Sequence, residues 1–387
     1  MREYERPKLE LADIFNQFSH LLGPLRPEQA KVVSAIKNCR THVLGGHINE
    51  CGDCDYRSQS YNSCRNRHCP KCGFTARNQW ISARNDELLD CSYFHVVFTV
   101  PSELRPLMLR NKEISYRVLF KAAGDTLKAV AKEHLGIDVG AIGVLHTWSQ
   151  TMIDHPHIHF IVPGGGLNKD RTQWIKARQK FLLPVKKLSA VFRGKLLSMF
   201  EEANDKNELK FIGQIEHLSH PGIFKDLLVD CASKRFVVYA KRPFAGPKAV
   251  IEYLGQYTHR IAISNYRLLK LEGEEVTFKY RDPNDPKNRK TMTLHVIEFM
   301  RRFLTHVLPR GFVRIRHIGL LGSRFKVNNI NRIRELQGLE SIEKKDCKEN
   351  FMELLKRITG IDVHRCPKCH SLSLRPSKTF QGLLSSA

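Results

Sequence analysis

The sequence predicts an α+β fold with a mainly antiparallel sheet, and three observations carry that expectation. β-rich runs and helical stretches follow one another in the order βα, β-hairpin, ββα rather than as a repeated βαβ unit. One of these runs, Asp154-His155-Pro156-His157-Ile158-His159-Phe160-Ile161-Val162, alternates histidine with other residues and leads into an apolar stretch. Ahead of it, residues 41–75 are rich in Cys, His, Gly and Asn and poor in large aliphatics, so metal has to replace a hydrophobic core there.

Taken in order, residues 1–40 read as helical: Pro27 falls in a first turn, and Val32, Val33 and Ile36 recur at helical spacing. Beyond the cysteine-rich segment, residues 76–90 form a connecting helix. Residues 93–100 are β-rich and stop at Pro101, and 113–134 are helical. Residues 141–150 and 157–163 are two strands joined by a short polar connection, with Gly164-Gly165-Gly166 ending the second. Two more strands are expected at 210–218 and 235–240. Gly246 and Pro247 then open a helix that carries Tyr253 and Tyr257. Later still, 276–280 and 292–296 alternate like a hairpin, and 310–317 interleave basic and apolar residues.

Lys and Arg number 63 against 39 Asp and Glu, a net charge of +24 in 387 residues. A surplus of that size, spread along the chain, attracts polyanions, and nucleic acid on an extended surface is the expected partner. The N-terminus is charged with no apolar run behind it, and nothing approaches the roughly 18 uninterrupted apolar residues of a membrane span. A cytoplasmic protein with no membrane partner is expected. Of 11 cysteines, seven fall in two tight clusters, which points to metal in a reducing compartment rather than to disulfides.

Cys51-x2-Cys54 and Cys69-x2-Cys72 read as two knuckles facing one another, presenting four thiolates to a structural Zn²⁺. Cys64, His68 and His47 stand close by, as ligands of a second metal or as replacements for a knuckle cysteine. Arg65, Arg67 and Lys71 are interleaved with them and give the module a surface suited to phosphate. Near the C-terminal end, Cys366 and Cys369 supply half of a further zinc site. His364, His370 or ligands from elsewhere would have to complete it; the other reading is a free CxxC turn.

On a strand, His157 and His159 project from one face. Two neutral imidazoles make a half-site for a divalent cation, Mg²⁺ or Mn²⁺, and leave positions for substrate oxygen and water. Pairing residue 150 with 157 would bring Gln150 to the same face as the third ligand, ahead of His146 and Asp154. Tyr253 and Tyr257 lie four apart and emerge from one helix face. A phenolate attacking a metal-polarised phosphodiester yields an enzyme–DNA ester that stores the bond energy for rejoining. Lys241 and Arg242 precede that helix and can hold the scissile phosphate, with Arg260 just after it as a further DNA contact.

The His157-Ile158-His159 core matches the His-hydrophobic-His motif of the HUH endonucleases, which include plasmid relaxases and rolling-circle replication initiators. More narrowly, Leu145-His146-Thr147-Trp148-Ser149-Gln150, His155-Pro156-His157-Ile158-His159 with Pro163-Gly164-Gly165-Gly166-Leu167, and Tyr253-Leu254-Gly255-Gln256-Tyr257-Thr258-His259-Arg260 resemble the rolling-circle insertion-sequence transposases of the two-tyrosine type. Tyr61-Asn62-Ser63-Cys64-Arg65-Asn66-Arg67-His68-Cys69-Pro70-Lys71-Cys72 is similar to that family's N-terminal zinc module. The resemblance implies a ferredoxin-like antiparallel sheet with the histidine motif on a central strand. It also implies a single-strand DNA nuclease and strand transferase acting at transposon ends and target, with His157 and His159 as metal ligands and Tyr253 and Tyr257 as nucleophiles. The pattern departs at Gln256, where a basic residue is expected. The domains then read as a helical and zinc-binding module at 1–90, an HUH nuclease at 91–270, and a poorly defined basic region with the last CxxC at 271–387. Two rivals remain: a zinc-containing DNA-binding or regulatory protein without catalysis, and a plasmid replication initiator or relaxase using the same chemistry.

Overall fold

The computed structural model describes residues 7–85, 87–177, 182–241, 250, 255, 258, 260–282, 285–342 and 351–383. Tyr253, Tyr257 and Arg242 lie outside the described residues. The first elements are α1 (Leu11–Phe18), α2 (Pro27–Asn38), β1 (Gly46–Cys51), β2 (Arg57–Tyr61), α3 (Gly73–Asn85) and β3 (Tyr93–Thr99). Then come α4 (Arg105–Arg110), α5 (Lys112–Leu135), β4 (Ile137–Asp138), β5 (Gly140–Trp148), β6 (Asp154–Pro163), β7 (Gly165–Asn168) and β8 (Trp174–Lys176). They are followed by α6 (Val185–Asp205), α7 (Pro221–Ser233), β9 (Val238–Lys241), β10 (Leu268–Glu272), β11 (Glu275–Asp282) and β12 (Asp285–His295). The last are α8 (Val296–Thr305), β13 (Ile315–Gly319), α9 (Lys326–Leu336), α10 (Phe351–Thr359) and β14 (Leu374–Phe380). Contacts gather these elements into two units that interleave along the chain. One comprises Met1–Trp80, His259–Val307 and Lys345–Ala387; the other comprises Ile81–Thr258 and Leu308–Lys344.

The second unit holds a five-stranded sheet in the order β13-β5-β6-β3-β9, every neighbouring pair antiparallel. Strand alternation gives its two faces different characters. Phe94, Val96 and Phe98 of β3 pair with Val162, Phe160 and Ile158 of β6, and these six enter one hydrophobic core with Leu119, Ala123 and Leu127 of α5 and Phe192, Leu196 and Phe200 of α6. The Phe98 ring meets Phe160 at 5.9 Å and Phe192 at 4.9 Å, both edge to face. Phe160 lies so close to Gly143 on β5 that a Cβ there would stand 2.5 Å from the ring, so only glycine fits. The opposite face carries His95, His146, His157 and His159, described below. A small sheet in the order β4-β7-β8 completes this unit's strands among the described residues.

Residues 210–218 do not form the expected strand. Gly213–Ser219 is a 3-10 helix entered through a left-handed Gly213 (φ 63°). The Asn111 side chain accepts from the Lys210 amide at 2.7 Å and donates to its carbonyl at 3.0 Å, so that backbone is satisfied by a side chain instead of a neighbouring strand.

In the first unit, α1 packs on α2 and on α8, with Phe15 against Phe303 at 5.8 Å between ring centres. Strands β10, β11 and β12 form an antiparallel meander, and Phe278 of β11 meets Phe299 of α8 at 5.8 Å. A separate sheet in the order β14-β1-β2 joins the two ends of the chain: Gly46 pairs with Phe380 and Cys51 with Leu374. Among the described residues no helix is long and apolar enough to cross a membrane.

Candidate metal centres

The histidine face follows from the register of the central strand. His157 lies opposite His146 on β5, and His159 lies opposite Val144 and Val97. Directly paired residues share a face, so His146, His157 and His159 project together, and one nitrogen from each falls within 4.8 Å of the others. His146 and His159 are buried and His157 is half-buried. The His157 Nδ1 donates to the His155 carbonyl at 2.6 Å, which leaves its Nε2 as the lone-pair nitrogen. His95 of β3 is also buried, and its Nε2 shares a 2.8 Å hydrogen bond with His159 Nδ1, so Nε2 of His159 is again the nitrogen left to ligate. The Trp148 indole stacks on His146 with ring centres 4.9 Å apart.

Gln150 does not take the register position expected for it. The expected 150–157 pairing is replaced by His146–His157 and Trp148–Asp154, with an irregularity between them. The observed register seats the Phe160 ring against Gly143, which has no side chain to meet it, and β6 begins at Asp154 rather than at His157; the one-residue shift beside Pro156, which has no amide to donate, is a local bulge. Gln150 falls in the connecting turn, where Ser149 and Ile153 bond one another. His146, a weaker candidate from sequence, stands opposite His157 and groups with the histidine pair. Asp154 is outside the cluster; burial pushes its carboxyl up to about 6 against the pull of Lys112 and Arg105. Burial, helped by Arg105, pushes neighbouring His155 down to about 4, with the guanidinium 2.9 Å from its Nδ1.

The residue following Tyr257 is tied to this sheet. Arg314 donates through its guanidinium to the Thr258 carbonyl, and the Arg314 carbonyl accepts from the Leu145 amide of β5 at 3.0 Å. Val250, Gly255 and Thr258 of the same stretch are helical and buried. Lys241 pairs with His95 at the end of β9. Arg65, Arg67 and Arg260 are exposed.

The cysteines assemble differently from the expected pair of facing knuckles. Cys69 and Cys72 join Cys64 and Cys39, while Cys51 and Cys54 join Cys366 and Cys369. The four knuckle cysteines are therefore divided between two tetrathiolate sets, and His47 and His68 belong to neither. The cause is topological: β1 leads Cys51 into a sheet with β14, which brings the C-terminal pair alongside, while the 66–72 turn faces the end of α2. In the first set, Cys39 caps α2 and is buried; the sulfur–sulfur distances to Cys72 are 3.5 Å from Cys39 and 3.6 Å from Cys64. The turn is closed by the Cys69 amide on the Asn66 carbonyl at 3.0 Å and the Cys72 amide on the Cys69 carbonyl at 3.3 Å. Cys72 is held well below the ordinary thiol range, first by Cys39 and then by Cys64. Cys91 and Cys231 stand outside both sets, and burial raises them to about 12 and about 11, as expected for inert structural thiols.

A sheet that brings three imidazoles together, in a chain that also carries tetrathiolate sets and a net charge of +24, defines a metal-binding protein suited to a polyanionic substrate. Comparison with known proteins narrows the class: residues 140–328 match the family model of a putative transposase, and residues 10–100 match that of a transposase zinc-binding domain. The chain is 40% identical to a putative transposase y4qJ of Sinorhizobium fredii over 97% of this chain and 96% of that protein. It is 27% identical to the transposase for insertion sequence element IS801 of Pseudomonas savastanoi pv. phaseolicola, over 94% and 88% respectively. The chain belongs to the IS91 family of insertion-sequence transposases. No solved structure matches it. The Cys39, Cys64, Cys69 and Cys72 set falls wholly within the matched zinc-binding domain, which supports a structural zinc there.

Proposed function

We propose that this transposase nicks and rejoins single-stranded DNA at transposon ends and target through a 5′-phosphotyrosine, by rolling-circle transposition. The observation that carries this reading is the cluster of His157 and His159 on the central strand of the antiparallel sheet with His146 on the strand beside it. That placement supports reading the sheet as the ferredoxin-like core of an HUH nuclease. The donor set fits a divalent cation: three neutral imidazoles suit Mn²⁺ better than Mg²⁺, which prefers oxygen. When bound there, the cation would polarise the scissile phosphate.

The tyrosines do the covalent work. The Tyr253 hydroxyl oxygen attacks the phosphorus and forms a tyrosine ester with the 5′ end, while the bond from phosphorus to the 3′ oxygen breaks. The proton lost by the phenol balances the one gained by the departing 3′ hydroxyl. Tyr257, four residues on in the sequence, opens a second strand while the first ester is held. Lys241, Arg242, Arg260, Arg65 and Arg67 supply phosphate contacts.

Incubating the full-length protein with a short single-stranded end sequence and Mn²⁺ should give a protein–DNA adduct stable to denaturation. Changing both His157 and His159 to Ala should abolish the adduct and leave salt-sensitive DNA binding, since most phosphate contacts lie elsewhere. The double change Tyr253→Phe and Tyr257→Phe should also remove the adduct. An adduct that survives that double change means another nucleophile, and cleavage unaffected by chelator removes the histidines from the chemistry.

A further inference from the structure

The zinc-binding domain match ends at residue 100, yet Cys51 and Cys54 within it group with Cys366 and Cys369 rather than with the Cys39 set. We infer that Cys51, Cys54, Cys366 and Cys369 form a second structural zinc site, in which the C-terminal segment completes the N-terminal module.

All four sulfur atoms lie within 4.8 Å of one another. Cys51 is 3.6 Å from Cys369 and Cys54 is 3.6 Å from Cys366. Zinc–thiolate bonds of about 2.3 Å put the sulfurs of a tetrahedron about 3.8 Å apart, close to the observed spacing. A disulfide would need about 2.05 Å. The surroundings are those of a thiolate site. The Asp53 amide points at Cys51 Sγ at 3.5 Å, and the Ser371 hydroxyl stands 3.4 Å from it and 3.2 Å from Cys369 Sγ, while Ser373 donates to the Asp53 carboxylate at 2.6 Å. Such donors stabilise anionic sulfur and orient it.

The backbone builds the two halves separately and then joins them. His370, in a left-handed conformation (φ 61°), turns the second knuckle, with its amide on the Cys366 carbonyl at 2.9 Å. β14 then runs back along β1, and the Gly52 amide bonds the Ser373 carbonyl at 3.2 Å. The chain continues into a close approach at Gly382, where a Cβ would stand 2.3 Å from the Val43 carbonyl oxygen. An ion pair between Lys368 and Asp55 spans the same junction. The inference is independent of the nicking chemistry, because neither set contains a residue of the histidine cluster.

Metal analysis of the full-length protein, purified without chelator, should find two zinc ions per chain. The double change Cys366→Ser and Cys369→Ser should leave one, and so should Cys39→Ser with Cys64→Ser. Two ions retained by the Cys366/Cys369 variant, or a single ion in the wild type that this variant keeps, would overturn the inference. Because either variant can misfold, the unmutated chain gives a second reading: after cadmium exchange its ¹¹³Cd spectrum should show two tetrathiolate resonances. A single resonance would also overturn it.

Discussion

The histidine-bearing unit and the cysteine-bearing unit present ligands to a cation with opposite resources. In the first, His146, His157 and His159 stand on paired strands whose other face is anchored by Phe98, Phe160, Phe192 and the helices above them. The ligands are preorganised by a core that exists without metal. In the second, among the described residues between Cys39 and Leu89, Cys69 alone is a buried hydrophobic residue. The fold there rests on turns, one small sheet and the thiolates themselves. Metal should therefore be dispensable for the structure of the sheet and indispensable for the cysteine-bearing segments.

The largest effect that tests this contrast is chelation. Structural zinc contributes an apparent free energy of about 10–16 kcal/mol in small domains at neutral pH. Stripping metal should therefore abolish amide protection across residues 39–72 and 366–374 while β3, β5 and β6 keep theirs, as read by hydrogen exchange with mass spectrometry. Loss of protection in the five-stranded sheet would break the comparison.

The converse perturbation is smaller. Phe160 is fully buried against Phe98 and Gly143, and truncating such a ring costs about 3–5 kcal/mol. Phe160→Ala should lower the stability of the sheet by that amount in urea unfolding and leave the zinc content at the wild-type value. A fall in zinc would show that the two units depend on one another.

The contrast also explains what could be read from the residues. Strand alternation is a local signal, so β3, β5, β6 and the shared face of His157 and His159 were legible. The third imidazole was not, because the β5–β6 register is fixed by core pairs such as Gly143 with Phe160, which only the fold brings together, and it puts His146 rather than Gln150 opposite His157. Tetrathiolate partnership is a long-range property: Cys51 and Cys369 are separated by 318 positions, and no spacing rule reaches across that distance. Cys39 carried a weaker signal, a lone thiol at a helix end just ahead of a cysteine-rich segment. Counting by fours would have enlisted it, since Cys39, Cys64, Cys69 and Cys72 together with Cys51, Cys54, Cys366 and Cys369 make two complete shells. The segment at 210–218 failed for a different reason: its backbone partner is the Asn111 side chain, which no local pattern announces.

The smallest expected effect concerns how finely the histidine unit is preorganised. His95 lies on β3, outside the three-imidazole cluster, with its Nε2 2.8 Å from His159 Nδ1 and the two rings within 6° of parallel. For His159 to ligate through Nε2, its Nδ1 must carry the proton and donate to His95, so His95 fixes both the tautomer and the ring orientation. It is a positioning residue, acting on the cation only through His159. Losing such a partner typically costs about 10–100-fold in metal affinity, or about 1.4–2.8 kcal/mol. His95→Ala should weaken Mn²⁺ binding to the full-length chain by that factor in calorimetric titration, with the sheet still folded. His95→Gln, whose amide oxygen can accept the same proton, should recover part of the loss. Affinity unchanged in His95→Ala would mean that strand pairing alone sets the ring, and that the core on the opposite face provides all the preorganisation the site has.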